Sequence, residues 1–205
     1  MWRFALRENI AHLRLLISKL DDHSKLPQLQ AQLEQAELEL SELEALSAHA
    51  EAAHDWAFSE LLTDILREEL RRDSANFGLV QLLEASSGSL QIAAQLNFQT
   101  DFLRHFEVVR ADDGSVYGKA LSDADGVWVE DVETADFFAQ HLPFALAAGF
   151  RAVKSLPLSR STGHVFGVFS LHFAQPQSWS AQHRSDDLRN VRNVARSVLA
   201  IRPAL

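Results

Sequence analysis

Apolar residues in the first part of the chain recur at alternating spacings of three and four, which is the period of an amphipathic helix. The first such stripe comprises Leu6, Ile10, Leu13, Ile17 and Leu20. Polar residues at 21–24 interrupt the stripe, and Pro27 suits the first turn of a second helix. A second stripe then follows: Leu26, Leu29, Leu33, Ala36, Leu40 and Leu43. The pattern predicts a long coiled-coil helix, whose stripe continues more weakly through Ser47, Ala50, His54, Ala57 and Leu61.

This second helix is strongly acidic. No Lys or Arg occurs between Leu26 and Leu66. Glutamates crowd one segment, at positions 34, 37, 39, 42, 44 and 51. Because neighbouring like charges on a helix repel, we expect a basic element beside it. The first helix carries Arg3, Arg7, Arg14 and Lys19, so an antiparallel helical hairpin that dimerises is predicted. The alternative is a solvated acidic face without a partner.

After Asp73 the apolar period changes to two, which is typical of strands. Strands are predicted over residues 77–84, 90–96 and 127–132. The stretch 149–173 reads as an antiparallel hairpin whose strands, 151–157 and 165–173, are apolar on both alternating faces. Strands of that kind belong at the centre of a covered sheet.

Short helices separate the strands. One is predicted from Thr100 to Phe106 with Thr100 as its cap, and another over residues 115–121. A third begins at Thr134 or Asp136 and runs towards Ala148, where Gly149 has the C-cap position. A final helix over 181–201 is capped by Ser180. This order predicts an α+β fold: a central antiparallel sheet covered by helices on both faces, with the terminal helices on one face.

After about Trp56, a series of short sequence segments, taken in order, resembles a GAF domain. The type is that found beside PAS and histidine-kinase modules in bacterial signalling proteins. The matching stretches are residues 78–83, 86–95, 117–121, 129–134, 147–158, 163–168 and 170–173. The resemblance covers about Trp56 to Ile201. It implies a GAF-like fold and a sensory role, and it divides the chain into a helical hairpin at 1–55 and a GAF-like domain at 56–205.

Several functional subfamilies of that family do not fit. The Asn-Lys-Phe-Asp-Glu signature of cyclic-nucleotide GAF domains is absent. The chain has no cysteine, whereas phytochrome-like GAF domains need a chromophore-linking Cys and the free methionine sulfoxide reductases of this fold need catalytic ones. Tyr117 stands just before Gly118, where the closest version of the family implies a Cys. The extra bulk of Tyr117 is expected to fill part of a pocket.

Composition narrows the function further. The 205 residues carry a net charge of -9 with no basic run interleaved with aromatics, which argues against nucleic-acid binding. No apolar run reaches the ~20 residues that span a bilayer. We therefore expect a cytoplasmic protein without a membrane span.

The candidate site lies on the 149–173 hairpin. His172 and Ser170 share one strand face, and Ser155 is expected on the neighbouring strand. With Phe102, Tyr117 and Phe138 from the middle helices, they form the predicted ligand-binding set. The alternative is that His172 is satisfied within the core and that the phenylalanines, including Phe106, Phe137 and Phe144, fill the space.

Other candidate chemistry is weaker, and no catalytic residue, metal site or cofactor is predicted. Glu130 and Asp131 alternate across a strand, so they do not share a metal coordination sphere, and Asp131 is expected to pin the next loop. Ser155 and Ser170 lack a nucleophile elbow. Haem ligation by His141, His164 or His172, and a phospho-accepting role for His54 beside Asp55, are disfavoured.

Three functions remain open. The first is a non-catalytic sensor that binds a small ligand or a signalling partner and signals through a helix-mediated homodimer. The second is a protein-interaction scaffold with a filled, vestigial GAF pocket. The third, an enzyme, lacks a catalytic constellation. Whether the pocket is open or filled separates the first two.

Overall fold

The computed structural model describes residues 2–19 and 25–205, and for residues 2–5 and 47–54 it describes the backbone alone. The chain divides into two compact units, Met1–Ala57 and Phe58–Leu205. The predicted interruption at 21–24, and the side chains of Ser47, Ala50 and His54 in the weak part of the stripe, lie outside the described residues. No helix among the described residues is both long and apolar enough to cross a bilayer.

The first unit contains α1 (Trp2–Ser18) and most of α2 (Leu26–Asp73), which ends in the second unit. The predicted stripes meet, because Leu6, Ile10, Leu13 and Ala36 are buried together. The predicted basic partner is also confirmed. Ion pairs of 2.7 Å join Arg7 to Glu44 and Arg14 to Glu37, in the order of an antiparallel hairpin. Both pairs are well exposed, so they set the register of the hairpin more than they stabilise it.

The second unit is built on a six-stranded antiparallel sheet in the order β3-β2-β1-β6-β5-β4. The strands are β1 (Phe77–Glu84), β2 (Ser89–Leu96), β3 (Val108–Val109), β4 (Val127–Val129), β5 (Ala152–Ser159) and β6 (Val165–Phe173). All nine residues of β6 and the first seven of β5 are buried. The covered central hairpin that the sequence predicts is therefore present.

Helices cover both faces of the sheet, which confirms the predicted α+β fold. The end of α2 and α6 (Ala181–Ile201) pack on one face with side chains such as Leu66, Leu156, Phe169 and Val194. On the other face lie the middle helices, which we define as α3 (Thr100–His105), α4 (Val116–Asp123), α5 (Leu142–Ala148) and two 3₁₀ helices at Val132–Thr134 and Asp136–His141. Each face has its own hydrophobic core.

Helix caps follow the sequence at three places. The Ser115 hydroxyl accepts from the Gly118 amide at the start of α4, and the Ser180 hydroxyl accepts from the His183 amide at the start of α6. Gly149 ends α5 at φ 86°, a left-handed conformation that glycine adopts without strain. Such local hydrogen bonds need no tertiary partner, and the caps at Ser180 and Gly149 were predicted from the sequence, whereas Ser115 was predicted inside its helix and is instead its cap.

Other boundaries were predicted wrongly. Thr100 is the first residue of α3 and Gln99 is its cap, without a side-chain hydrogen bond. The helix expected from Thr134 or Asp136 is instead a 3₁₀ helix followed by α5, because Pro143 fits the first turn of a new helix. Strand β4 ends three residues early, since Asp131 caps the 3₁₀ helix that follows. The two-residue β3 was not predicted.

Candidate functional site

All six predicted ligand-binding residues are buried. Ser155, Ser170 and His172 lie on the two central strands, Phe102 on α3, Tyr117 on α4 and Phe138 on the second 3₁₀ helix. Each is at most 3% exposed. The serines and His172 belong to the sheet face that the middle helices cover, because His172 pairs across the sheet with Phe77 and Val153 of that same core.

Ser155 and Ser170 form a buried pair. They are direct cross-strand partners on β5 and β6, and their hydroxyl oxygens lie 2.8 Å apart. Burying a hydroxyl group without a hydrogen bond costs roughly 1–3 kcal/mol of stability, and the hydrogen bond between the two serines offsets that cost. The pair places two hydroxyl groups side by side in otherwise apolar surroundings.

Tyr117 and His172 form the second pair, with 2.8 Å between the tyrosine hydroxyl and Nε2 of the imidazole. Ser115 fixes Tyr117 in the first turn of α4, and Gly118 lets that turn approach the backbone. A Cβ at Gly118 would lie 2.2 Å from the Arg110 carbonyl oxygen. Tyr117 therefore fills space beside His172, as its bulk led us to expect.

Burial keeps both members of this pair uncharged. It lowers the pKa of His172 to about 3, with a smaller opposing effect from the Phe77 backbone. It raises the pKa of the Tyr117 phenol well above 10.0, and Asp113 adds to that effect. Near neutral pH the site therefore presents a neutral imidazole and a neutral phenol.

Two buried side-chain atoms among the described residues lack a hydrogen bond of good geometry: Nδ1 of His172, which the Phe77 backbone approaches only as a weak partner, and Oε1 of Gln81. Gln81 lies on β1 opposite Val168, on the same sheet face as Ser170 and His172. Its Nε2 donates to the Phe106 carbonyl oxygen at 3.2 Å. Both unpartnered atoms thus belong to one polar row under the middle helices.

Aromatic rings enclose His172. The centroids of Phe98, Phe102 and Phe150 lie 4.9, 6.2 and 4.8 Å from the imidazole centroid. Phe98 and Phe102 stack on each other at 3.9 Å. Phe138 is different, because its ring contact is with His141 at 5.5 Å. Phe138 therefore belongs to the same core but lies on its His141 side.

Sequence reasoning missed several members of this site. Gln81 is a lone polar residue in an apolar strand, and that was the available signal. Phe98 and Phe150 carried no signal, since they lie outside the predicted helices and contact His172 across more than twenty residues. Phe137, which the filled-pocket alternative counts among the phenylalanines that fill the space, is 43% exposed.

A histidine cluster holds the middle helices together. Nε2 of His105 lies 2.9 Å from Nδ1 of His141, and Nε2 of His141 lies 2.8 Å from the Asp113 carbonyl oxygen. The His105 ring stacks on Phe144 at 3.4 Å. Burial, followed by the neighbouring His141, lowers the pKa of His105. The cluster links α3 to the second 3₁₀ helix and to the loop before α4.

Asp131 pins the loop after β4, as predicted. Its carboxylate accepts from the Glu133 amide at 3.1 Å and pairs with Arg151 at 2.7 Å. These hydrogen bonds, led by the one from Arg151, lower the pKa of Asp131. No group of three or more His, Asp and Glu residues in the described part of the chain is arranged to hold a metal ion.

A second polar network lies on the opposite sheet face. Lys154, only 4% exposed, bridges Asp73 at the end of α2 and Asp187 on α6. Asp187 also accepts from Nε1 of Trp128 at 2.9 Å. Through these two ion pairs Lys154 ties the two terminal helices of this unit to β5.

The antiparallel sheet covered by helices on both faces defines an α+β domain, and comparison with known families agrees. A family model of the GAF domain matches residues 57–185, so the chain belongs to the GAF domain family. A comparison with curated proteins finds no match.

Solved structures show that the fold is shared. A GAF domain region from Geobacter sulfurreducens PCA aligns at 13% identity and TM-score 0.61, over 72% of this chain and 96% of that one. The blue-light absorbing form of the Thermosynechococcus elongatus PixJ GAF domain aligns at 11% identity and TM-score 0.56, over 73% and 89%. The type II free methionine-R-sulfoxide reductase of Thermoplasma acidophilum aligns at 14% identity and TM-score 0.58, over 72% of this chain and 96% of that one. The TM-scores show a shared fold, and at identities this low the similarity shows the fold alone.

Proposed function

We propose that this chain is a non-catalytic sensory or regulatory protein whose GAF domain binds a small neutral ligand between the sheet and the middle helices. One observation carries the proposal. The buried polar row contains two side-chain atoms without a well-formed hydrogen bond among the described residues, Oε1 of Gln81 and Nδ1 of His172, and the Phe77 backbone is only a weak partner for His172. An unpaired polar atom in an apolar interior is costly, so a group that pairs with it would bind favourably.

The chemistry of the row indicates the kind of ligand. None of the six residues carries a positive charge near neutral pH, because the pKa of His172 is about 3. An anion would therefore be desolvated without compensation. A neutral molecule with both donor and acceptor groups suits His172 and the Ser155–Ser170 pair. Its entry would require Tyr117 to swing away from His172.

The second candidate is a protein-interaction scaffold with a filled, vestigial pocket. It is favoured by the direct Tyr117–His172 and Ser155–Ser170 hydrogen bonds, which let the side chains satisfy one another. On this reading Tyr117 is a permanent part of the core. The acidic helices of the first unit then carry the interaction.

Native mass spectrometry of the purified protein separates these candidates. A sensor should carry a co-purifying small molecule that His172→Phe loses and that the surface control Arg104→Gln retains. A protein that shows only its own mass, under conditions gentle enough to preserve a known complex, would favour the scaffold. The His172→Phe variant must first be shown to unfold cooperatively.

We also propose that the module at 1–55 forms a helix-mediated homodimer, in a cytoplasmic bacterial signalling protein. Within the first unit, Leu15, Leu16, Leu38 and Leu46 are 41–68% exposed. Apolar side chains exposed along a coiled-coil-like helix are commonly covered by a symmetric partner. Repacking of the middle helices on ligand binding would alter the association of that dimer or the binding of a signalling partner. The coupling free energy between ligand binding and that association would be about 1–3 kcal/mol.

Light scattering coupled to gel filtration tests the dimer. Wild-type protein should elute as a dimer, and Leu38→Glu with Leu46→Glu should shift it to monomer, because buried charge opposes association. Gln30→Glu adds a charge at an exposed polar position and should leave the dimer intact. A monomeric wild type at micromolar concentration would contradict the proposal.

The non-catalytic part of the proposal rests on composition. The chain has no cysteine, and the reductases of this fold, by the family resemblance, act through cysteine. Incubation with free methionine-R-sulfoxide and a thiol reductant should give no turnover above a buffer control. Measurable turnover would overturn this part and leave ligand binding untouched.

A further inference from the structure

A cavity of about 570 Å³ lies between α6, the end of β5 and the loop that joins β5 to β6. It shares no residue with the six-residue site under the middle helices. Arginines form its polar wall: Arg160, Arg192 and Arg196. The apolar part of its surface includes Pro157, Leu188 and Val191, and Asp125, Ser159 and Ser161 add further polar groups.

The positive charge in this cavity is poorly neutralised. The side chain of Arg192 makes no hydrogen bond or ion pair with any residue that the structure describes. Arg196 donates to the side-chain oxygen of Asn193, an uncharged group. Arg160 is held in place by the backbone oxygens of Pro203 and Leu205, each at 2.7 Å. Asp125 is the carboxylate among the lining residues, so the guanidinium groups of Arg192 and Arg196 outnumber it in a chain of net charge -9.

The contrast with a cavity near the start of α6 is informative. That cavity is also lined by cations, but they have partners. Lys154 is shared by two carboxylates, and Arg189 pairs with Asp186 at 3.1 Å. Charges that are paired within the protein require no charged ligand. The cavity beside Arg192 and Arg196 lacks that internal neutralisation.

We infer that the cavity beside Arg192 and Arg196 binds a small organic anion, of the phosphate-monoester class, with an apolar body. The guanidinium fork matches phosphate oxygens in a bidentate manner, and Arg192 and Arg196 lie one turn apart on α6. The apolar body of the ligand packs against Pro157, Leu188 and Val191. The cavity volume falls within the range of roughly 300–1,000 Å³ that is usual for small-molecule sites.

Isothermal titration calorimetry at constant ionic strength tests this site, with inorganic phosphate and phenyl phosphate as probes. Both probes should bind, and phenyl phosphate should bind more tightly because its ring is buried on the apolar surface. The double variant Arg192→Gln/Arg196→Gln should weaken phenyl phosphate by about tenfold for each guanidinium removed. The double variant Arg192→Lys/Arg196→Lys keeps the charge but not the guanidinium fork. Its affinity for phenyl phosphate should fall between that of the wild type and that of Arg192→Gln/Arg196→Gln.

The matched control is Arg71→Gln/Arg104→Gln, which removes the same charge from two exposed arginines elsewhere on the domain and should bind like wild type. Urea unfolding should confirm that every variant is folded. If both double glutamine variants lost the same affinity for phenyl phosphate, net charge alone would explain the effect and the inference would be overturned. So would unchanged affinity in Arg192→Gln/Arg196→Gln, or an acidic peptide that binds more tightly than phenyl phosphate.

Discussion

The clearest quantitative prediction concerns His172 and acid stability. The pKa of His172 is about 3 in the folded protein, against an ordinary value of 6.5, because burial disfavours the imidazolium. Between these values the unfolded chain binds a proton that the folded chain does not. Stability from this group is therefore complete above pH 6.5 and is lost as the pH falls towards 3.

The expected size follows from that difference. Moving from pH 7 to pH 5 should reduce the free energy of unfolding by roughly 2 kcal/mol through His172 alone. Urea unfolding followed by circular dichroism, extrapolated to water at each pH, measures this change. Other groups titrate over the same range, so the informative quantity is the difference between wild type and His172→Gln. The amide oxygen of glutamine can still accept a hydrogen bond from the Tyr117 hydroxyl, but glutamine does not titrate.

His164, exposed in the loop between β5 and β6, supplies a matched control, and His164→Gln should follow the wild-type curve. The variant His172→Gln should lose roughly 2 kcal/mol less than wild type between pH 7 and pH 5. Parallel curves for wild type and His172→Gln would refute the reasoning. They would mean that His172 accepts a proton in the folded state and that the site is wetter than its burial indicates.

Three further predictions use the same unfolding assay. Lys154→Met should cost roughly 3–5 kcal/mol, because it leaves two carboxylates without their shared cation, whereas the exposed Lys119→Met should cost less than about 1 kcal/mol; similar losses would contradict this. Gly149→Val should cost at least about 1–2 kcal/mol from backbone strain at φ 86°, and Gly149→Asn less; equal stability of glycine and valine would contradict the left-handed cap. The pKa of Glu84 is lowered to about 2 by hydrogen bonds led by that from Ser86, so stability from Glu84 is present above pH 4.5 and lost below it. Glu84→Gln should accordingly show a smaller loss in acid, and an unchanged acid profile would argue against these bonds in solution.

Much of the fold could be predicted because its signals are local. Alternation along β5 and β6 indicated buried central strands, and Ser180 and Gly149 marked helix ends through their own backbone preferences. Thr100 misled for the same reason. Its hydroxyl is a competent cap, but the chain begins α3 one residue earlier and makes no side-chain hydrogen bond there.

The site was only half predictable. Alternation placed Ser170 and His172 on one face, and the cross-strand register supplied Ser155. The hydrogen bond from Tyr117 to His172 spans 55 positions, and the aromatic ring contacts of Phe98 and Phe150 with His172 also depend on tertiary packing. Nothing in the local sequence specifies such contacts.

Two neighbours on β5 face opposite ways: Ser155 belongs to the row under the middle helices, and Lys154 holds Asp73 and Asp187 beneath the terminal helices. A single peptide unit joins them. Any sliding or twisting of β5 that repositions the hydroxyl must also displace the ammonium, with no chain of intermediate side chains required. A displacement at the polar row could thus reach the end of α2 and α6, on the opposite face of the sheet, through one peptide bond of β5.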